Sequence, residues 1–429
     1  MSVYSAGIGL LRRRARWFYT TLFALPRAGI VVGAIPFSFA FPLWVIIGLR
    51  DAVLGGIRLK PRHWVFVGGL IASLLVNFST YSLFNLATLA VLLASLVPLS
   101  YTRERLDDIL SSLPLAMVVI MLFGAIQAIV GVEITLIEGI THPVGENVLN
   151  DNPIRAGDHV KMVSTFTNGN PMMFFLFLSM AVSMERRVIS QRRGLWLGAV
   201  VLISVLSLVR GSWVALVVGL AYAGFRGRGN FKVNFKMATY GVLGVLLGMA
   251  VLWPTGNLDA IVDRFVVLLT DADGNGRVSG AVTTWKEVWH YGGFEFVRGV
   301  LWGFGFDLDF DMERARIGRQ PGSPIEGYLT FLLRFGVIVF GSILAMVAAA
   351  VRNLQGDRLA EVFVVAAATQ ALADNVLLFP PLLFMLVLAG EVDVRGCVVD
   401  DPGGRREDGV GWKLPRGLKS IRMAARRSL

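Results

Sequence analysis

Long apolar runs recur along most of the chain and constrain its fold more than any other sequence feature. Many of them are about 15–25 residues long, the length at which an α-helix crosses the hydrocarbon core of a bilayer. The 429 residues are 55% hydrophobic and 17% charged, with a mean hydropathy of +0.64. Because a bilayer offers no partners to backbone N–H and C=O groups, such runs predict helices. We therefore expect an all-α, polytopic membrane protein.

The ends of the apolar runs predict where the helices lie. Residues 17–49 hold three prolines and one charge, Arg27, and predict either one broken helix or two short helices that turn near Pro36. Further spans are expected at 63–79, 82–101, 109–132, 166–183, 194–209, 212–226, 238–254, 326–351, 359–377 and 379–391. Two crossings within 17–49 would give about twelve transmembrane helices.

Basic residues predict the orientation of these helices, because Lys and Arg concentrate in cytoplasmic loops. The basic loops fall on one side if each span crosses once: 50–62, 102–108, 184–193, 227–237, 352–358 and the C-terminal tail. Both termini are then cytoplasmic. This bias accounts for the net charge of +11, so we expect no nucleic-acid partner.

Charge and hydropathy divide the chain into four regions. Residues 1–254 are expected to form transmembrane helices 1 to about 9, 325–391 the C-terminal transmembrane helices, and 392–429 a basic cytoplasmic tail. Residues 255–324 hold ten acidic and seven basic residues, a balance of −3. Aromatic residues are interleaved with these charges, as in Thr283–His290. We expect a long external loop that contains amphipathic helices.

Metal and disulfide chemistry receive little support from the sequence. Cys397 is the single cysteine, which excludes an intrachain disulfide. The four histidines show no metal-ligand spacing, although carboxylate-held Mg²⁺ or Ca²⁺ stays open. Asp271-x-Asp273-x-Asn275-Gly imitates half of a calcium loop, but Val282 occupies the position that needs a bidentate Glu. We expect no cofactor and no metal site.

Arg210 is the most informative charged residue in the sequence. It is the only charge between Arg193 and Arg226, and it lies in the turn Leu208-Val-Arg-Gly-Ser212 between two apolar runs. Gly211 permits a close backbone approach and Ser212 can cap the next helix. A guanidinium beside a helix N-terminus is an anion site. The alternative is an arginine that extends to the membrane interface; we favour the functional interpretation.

Three other segments hold candidate functional residues. Asn168-Gly-Asn170-Pro171 is a turn whose amides can bind sugar hydroxyls or phosphate, although the residues alone favour an ordinary N-cap. Arg277 is either a second anion-binding arginine or a solvated loop charge. Glu326, where the loop enters the membrane, is either a base with a raised pKa or a carboxylate stabilised by a helix dipole.

These segments together resemble the O-antigen ligase and polymerase superfamily of bacterial membrane glycan-assembly proteins. Thr165–Asn170 is similar to its Phe-x-Asn-x-Asn turn, and Leu208–Ser212 is similar to its Ser-Arg-Gly turn with Val209 in place of Ser. The other matching pieces are Arg277 with Trp285 and Gly303-Phe-Gly305, for its Arg…Trp…Gly-x-Gly loop, and Ser323 to Gly336, for its Pro-His-Asn-x-Tyr-Leu…Gly element. Ile325-Glu326 stands where the family has His-Asn.

The resemblance implies metal-independent glycosyl transfer on the periplasmic face of the bacterial inner membrane. The donor would be a polyprenyl-diphosphate-linked oligosaccharide and the acceptor another glycan. Arg210 and Arg277 would hold the diphosphate, and Glu326 would be the base in place of the missing histidine, with His290 as a weaker candidate. The implied substrate-binding residues are Asn168, Asn170, Trp285, Trp289, His290 and Tyr328.

The missing histidine favours a polysaccharide polymerase over a ligase that transfers glycan to lipid A-core. A transporter or flippase of an anionic lipid-linked sugar is the competing class, and a non-catalytic assembly subunit is a third. The resemblance implies the lipid bilayer, chain-length regulator proteins and flippase proteins as partners.

Overall fold

The described part of the chain is mostly helical in the computed structural model. The described residues are 14–32, 35–57, 59–80, 83–145, 155–156, 159–160, 162–166, 168–189, 192–226, 235–253, 259, 261–262, 266, 292–305, 328–373, 377 and 380–391.

The N-terminal half contains six α-helices, two 3-10 helices (Phe78–Thr80 and Val97–Ser100) and two short hairpins within these ranges. The helices are α1 at 14–24, α2 Ala40–Gly55, α3 Pro61–Val76, α4 Leu83–Ala94, α5 Arg103–Val130 and α6 Val132–Thr135. The strands are β1 Gly29–Val32, β2 Ile35–Ser38, β3 Arg155–Ala156 and β4 His159–Val160, paired antiparallel as β1–β2 and β3–β4.

The remaining described helices follow the apolar runs. They are α7 Gly169–Glu185, α8 Arg193–Leu206, α9 Arg210–Arg226, α10 Phe235–Leu252, α11 Gly293–Trp302, α12 Tyr328–Asn353, α13 Arg358–Ala373 and α14 Pro380–Glu391. Most of their ends lie within a few residues of the predicted spans. Two described helices, Arg103–Val130 and Phe331–Asn353, are long and apolar enough to cross a membrane. The prediction of a helical protein is therefore confirmed, and the number of crossings stays a prediction.

The region 17–49 differs from both structures that the sequence predicts for it. Pro26 ends α1, and the chain then forms the β1–β2 hairpin before α2 begins. Strand β1 also exchanges backbone hydrogen bonds with Val144, over N···O distances of 2.9 and 3.0 Å. Pro36 lies within β2, so the reversal of the chain expected near it occurs between two antiparallel strands. The β-branched run Ile30-Val31-Val32 explains the strand, since such residues fit a pleated chain better than a helix.

Helix α7 lies at the centre of the described bundle. Every residue from Pro171 to Met184 is buried. Helices α5, α13 and α14 pack against it. A helix that is apolar on all sides needs neighbours on all sides, so α7 organises the core.

Several basic loops contact one another and form one end of the bundle, here called the ion-pair end. The side chains of Asp51 and Glu361 are nearly fully buried there, and each meets a guanidinium. The joining contacts are Arg105–Asp51, Arg186–Asp107, Arg193–Asp357, Arg226–Glu361, Arg358–Glu361, and the carbonyl of Gly390 with Arg62 and Asn353. The paired guanidinium offsets the desolvation cost of burying each carboxylate.

Large apolar side chains are exposed along several helices. The most exposed of the described examples are Val53 at 88%, Phe225 at 85% and Phe294 at 78%. Others occur on α5 and α10, including Leu122, Ile129 and Val242. A contiguous apolar surface of large extent marks a face that contacts lipid or another protein.

Glycines bring α8 and α10 into close contact. A methyl group on Gly244 would overlap the carbonyl oxygen of Gly198, and a methyl group on Gly198 would lie 2.8 Å from the carbonyl oxygen of Tyr240. By contrast, no atom of another segment would lie within 4 Å of a methyl group on Gly241. The two backbones therefore approach each other through Gly198 and Gly244.

We expect Gly244→Ala to destabilise the protein by about 1–3 kcal/mol, because the methyl group forces the two backbones apart. The matched variant Gly241→Ala lies on the same helix and gains the same helix propensity without a clash. It should be neutral or stabilising by up to about 1 kcal/mol. Thermal unfolding of the purified protein in one detergent measures both. Equal unfolding temperatures for the two variants would contradict the close contact between α8 and α10.

Candidate functional site

The Asn168 turn forms the N-terminus of α7. Asn168 has extended backbone angles, and its side-chain oxygen accepts a hydrogen bond from the Asn170 N–H at 2.9 Å. Pro171 follows in the first turn, where its missing N–H costs little. This is the N-cap geometry that the residues alone favour. The cap occupies the Asn170 N–H. A ligand at this end of α7 would therefore interact with the helix dipole rather than with that N–H.

A buried glutamine of α5 fixes the loop before this turn. Gln127 is 1% exposed, and its side-chain oxygen accepts hydrogen bonds from the N–H groups of Val163 and Ser164 at 3.1 and 2.6 Å. Its amide nitrogen donates to the Ser164 carbonyl at 3.2 Å. Ser164 has a φ of 52°, a conformation that favours glycine. The glutamine therefore satisfies three backbone groups of a strained loop and sets the path of the chain into Asn168.

The Arg210 turn forms the N-terminus of α9 and is held by serines. The Ser204 and Ser212 hydroxyls lie 2.7 Å apart, and the Ser212 hydroxyl donates to the Val209 carbonyl at 2.8 Å. The Ser207 hydroxyl accepts from the Val209 N–H at 3.4 Å. Ser212 was expected to cap the helix. It instead lies inside the first turn, because α9 begins two residues earlier at Arg210.

The two turns pack directly on each other. A methyl group on Gly169 would lie 2.5 Å from a Val209 methyl group and 3.9 Å from the Ser207 Cβ. Gly169 is the first residue of α7, and Val209 precedes the first residue of α9. The N-termini of two 17-residue helices therefore meet, with Arg210 half-buried beside them. Two positive helix ends and a guanidinium at one place favour a bound anion.

A third helix joins this site through Gln370. Its side-chain nitrogen donates to the Asn170 side-chain oxygen at 2.9 Å, which links α13 to the first turn of α7. Gln370 is fully buried in a helix that is otherwise largely apolar. Sequence reasoning missed both Gln370 and Gln127. The available signal was a lone amide inside an apolar run, since such a group must find a partner.

The Gly303-Phe-Gly305 turn and Gly336 form a second junction. Helix α12 is broken at Gly336, where φ is 83°. The freed carbonyls of Leu333 and Arg334 accept hydrogen bonds from Phe304 N–H at 2.7 Å and Gly305 N–H at 3.3 Å. Substituted glycines would collide here, because a methyl group on Gly303 overlaps the Arg334 carbonyl. These segments matched two successive pieces of the resemblance, and the structure brings them together.

Side chains of α3 strengthen this junction. The Asn77 amide donates to the Gly303 carbonyl at 3.1 Å, and the Ser73 hydroxyl donates to the Arg334 carbonyl at 3.4 Å. Both α3 residues are buried. Sequence reasoning missed Asn77 and Ser73 because they lie more than 200 residues before their partners.

Both junctions lie away from the ion-pair end. Arg226, at the far end of α9 from Arg210, pairs with Glu361 there. A 17-residue helix is about 25 Å long, so Arg210 lies at the opposite end of the bundle. Helix α7 has the same orientation. Glu185 at its C-terminus accepts a hydrogen bond from the N–H of Asp357, a residue of the ion-pair end, at 2.8 Å. The end that holds Asn168, Arg210 and Gln370 is here called the Arg210 end.

Other predicted site residues lie outside the described residues: Arg277, Glu326, Trp285, Trp289 and His290. Tyr328 begins α12, and its backbone is described. The structure thus brings together Asn168, Asn170 and Arg210. Within the described ranges, no group of three or more His, Cys, Asp or Glu side chains is arranged to hold a metal ion.

We expect Gly169→Ala to destabilise the protein by about 1–3 kcal/mol, because the new methyl group meets the Val209 side chain. Val209→Ala removes that methyl group, so the double variant should recover part of the loss. A coupling free energy of about 0.5–3 kcal/mol is expected from unfolding of the two single variants and the double variant. Strictly additive effects would show that the two turns do not touch.

Comparisons of this chain with protein-family models, with curated proteins and with solved structures find no match.

Proposed function

We propose that the chain is a bacterial inner-membrane polysaccharide polymerase of the O-antigen ligase and polymerase type. It would transfer glycan from a polyprenyl-diphosphate-linked donor to a glycan acceptor on the periplasmic face. The observation that carries the proposal is the meeting of the α7 and α9 N-termini beside Arg210.

The membrane part of the proposal is supported by the surface of the bundle. Large apolar side chains are exposed along α2, α3, α5, α9 and α10, and two helices have the length and hydropathy of a membrane span. Arg186, Arg193 and Arg226, in or next to the predicted basic loops, lie at the ion-pair end, and this is the distribution that the positive-inside rule predicts for a cytoplasmic face. The Arg210 end then faces the periplasm. Helix α14 is shorter than a full span, and its side chains from Leu382 to Ala389 are buried in the bundle.

The chemical part follows from the charge of the donor. A polyprenyl diphosphate has its chain in the bilayer and its diphosphate at the interface, which is where Arg210 would lie. In the reaction an acceptor oxygen forms a bond to the anomeric carbon, and the bond from that carbon to the diphosphate oxygen breaks. The acceptor proton passes to a base, for which Glu326 is the candidate. The leaving diphosphate gains negative charge, which Arg210 and Arg277 would stabilise.

Two other functions use the same anion site. A ligase performs the same bond exchange on a different acceptor, and a flippase moves the donor without breaking a bond. The polymerase is favoured because Ile325-Glu326 departs from the family's His-Asn.

The orientation can be tested by cysteine labelling in a Cys397→Ser background. Glu133→Cys and Arg187→Cys place single thiols at exposed positions, the first in α6 just after the C-terminus of α5 and the second at the ion-pair end. A membrane-impermeant maleimide should label Glu133→Cys in intact spheroplasts. It should label Arg187→Cys only after the membrane is permeabilised. The reverse pattern, or protein in the soluble fraction, would contradict the proposed topology.

Arg210→Ala should abolish polymer formation from a lipid-linked oligosaccharide by the purified protein, with a loss of about 100-fold or more. Arg277→Ala should do the same, and Glu326→Gln should stop turnover while the donor still binds. Arg352→Ala is the matched control, since Arg352 is an exposed arginine at the last turn of α12.

The assay is the length of the lipid-linked product on a gel, with unfolding temperatures recorded for each variant. Near-normal polymer from Arg210→Ala would refute its diphosphate role. Donor that crosses vesicles without being lengthened would identify a flippase, and glycan found only on a lipid acceptor would identify a ligase.

A further inference from the structure

We propose that the side-chain oxygen of Gln370 accepts a hydrogen bond from a hydroxyl or N–H donor on the sugar that is joined to the diphosphate. Gln370 would thus be a specificity-determining residue of the Arg210 end. This inference rests on the proposed function, because it assumes an anionic sugar ligand there.

The first support is the hydrogen-bonding state of Gln370. Its nitrogen is used by Asn170, whereas its oxygen has no hydrogen-bond partner among the described residues. A buried amide oxygen without a donor is costly, and a ligand donor that reaches it is correspondingly favoured. The residue is fully buried, so this acceptor is held in the interior next to the first turn of α7.

The second support is that the orientation of this amide is fixed. The Asn168 side-chain oxygen accepts from the Asn170 N–H, and the Asn170 side-chain oxygen accepts from Gln370. The second bond turns the nitrogen of the Gln370 amide toward Asn170 and leaves its oxygen without a donor among the described residues. A carbonyl accepts and cannot donate, so the position distinguishes a hydroxyl or N–H from a hydrogen atom or an ether oxygen.

A second polar atom in the same segment has the same property. The Thr165 hydroxyl is buried and has no partner within the described part of the chain. Thr165 follows Ser164, whose backbone Gln127 holds in place, and precedes Asn168 by three residues. Two unsatisfied buried polar atoms therefore border the turn where the helix N-termini meet. A ligand that supplies hydrogen-bond partners to these atoms is favoured over an analogue that lacks them.

Geometry limits which part of the ligand Gln370 can meet. An anion at the N-termini of α7 and α9 would lie beside Gly169 and Arg210, and Gln370 bonds the next residue of α7, Asn170. A donor group close to the phosphate-bearing carbon can therefore reach the amide while the phosphate stays bound. In a sugar joined to a diphosphate, that group is the substituent on C2. Because Gln370 is fully buried, the side chains around it must move to admit this substituent, as in sites that close over their ligand.

The test measures binding to the full-length protein in lipid nanodiscs. The probes are farnesyl-diphosphate-linked glucose, its 2-deoxy analogue, and inorganic diphosphate. The wild type should bind the hydroxylated probe roughly tenfold more tightly than the deoxy probe. Gln370→Met, which keeps the volume of the side chain and removes the acceptor, should bind both equally while its affinity for diphosphate is unchanged.

Two further variants keep the test clear of folding effects. Ser179→Ala removes an equally buried hydroxyl that also has no partner among the described residues, but it lies more than two turns along α7. It should leave the discrimination intact. Asn170→Ala removes the acceptor that orients the Gln370 amide and should weaken the discrimination between the two sugar probes.

The outcomes separate this inference from the function on which it rests. If no probe binds the wild type, the anion site itself is wrong and the inference falls with it. If the probes bind and Gln370→Met still prefers the hydroxylated probe, the role of Gln370 is wrong and the anion site stands. A lower unfolding temperature for Gln370→Met with unchanged discrimination would show that the amide serves only the core.

Discussion

The complete burial of α7 is the constraint on which the rest of the structure depends. Because α7 has no exposed side, neighbouring helices must enclose it, and α5, α13 and α14 do so. The position of each of these three helices is fixed by its packing against α7. Its ends must also be satisfied, because a helix leaves unpaired N–H groups at one end and unpaired carbonyls at the other. Asn168 caps one end, and Glu185 connects the other to the start of α13. The two ends of the bundle thus acquire different chemistry from one buried element.

The sequence predicts the helices well because hydrophobic runs report a local property. The predicted span 359–377 is observed as Arg358–Ala373, and 326–351 as Tyr328–Asn353. The β1–β2 hairpin was missed because a short apolar run with prolines fits a strand or a broken helix equally, and pairing with Val144 decides between them. That pairing joins residues more than 100 positions apart, a relation that periodicity does not encode.

The candidate site shows the same limit in another form. The turn residues of Asn168 and Arg210 were visible in the sequence, since Asn, Gly and a lone arginine have recognisable local roles. Their contact was not, because Gly169 and Val209 meet only through the packing of α7 and α9. Gln370 lies 200 residues from Asn170, and nothing in its own segment indicates the partner. Local chemistry is therefore read from sequence, while the assembly of a site from several elements is read from structure.

The break in α12 has a consequence for the order in which the protein can assemble. The Leu333 and Arg334 carbonyls that Gly336 releases are satisfied by Phe304 and Gly305, which are synthesised about 30 residues earlier. The segment that ends with α11 must therefore be folded and close by when α12 takes its final shape. An exchange of residues 255–305 for an unrelated loop would remove the Phe304 donor of the Leu333 carbonyl and leave the Arg334 carbonyl with only the Ser73 hydroxyl, in an interior where no water replaces the lost donors. The Gly303-Phe-Gly305 turn and the broken helix α12 therefore form one folding unit.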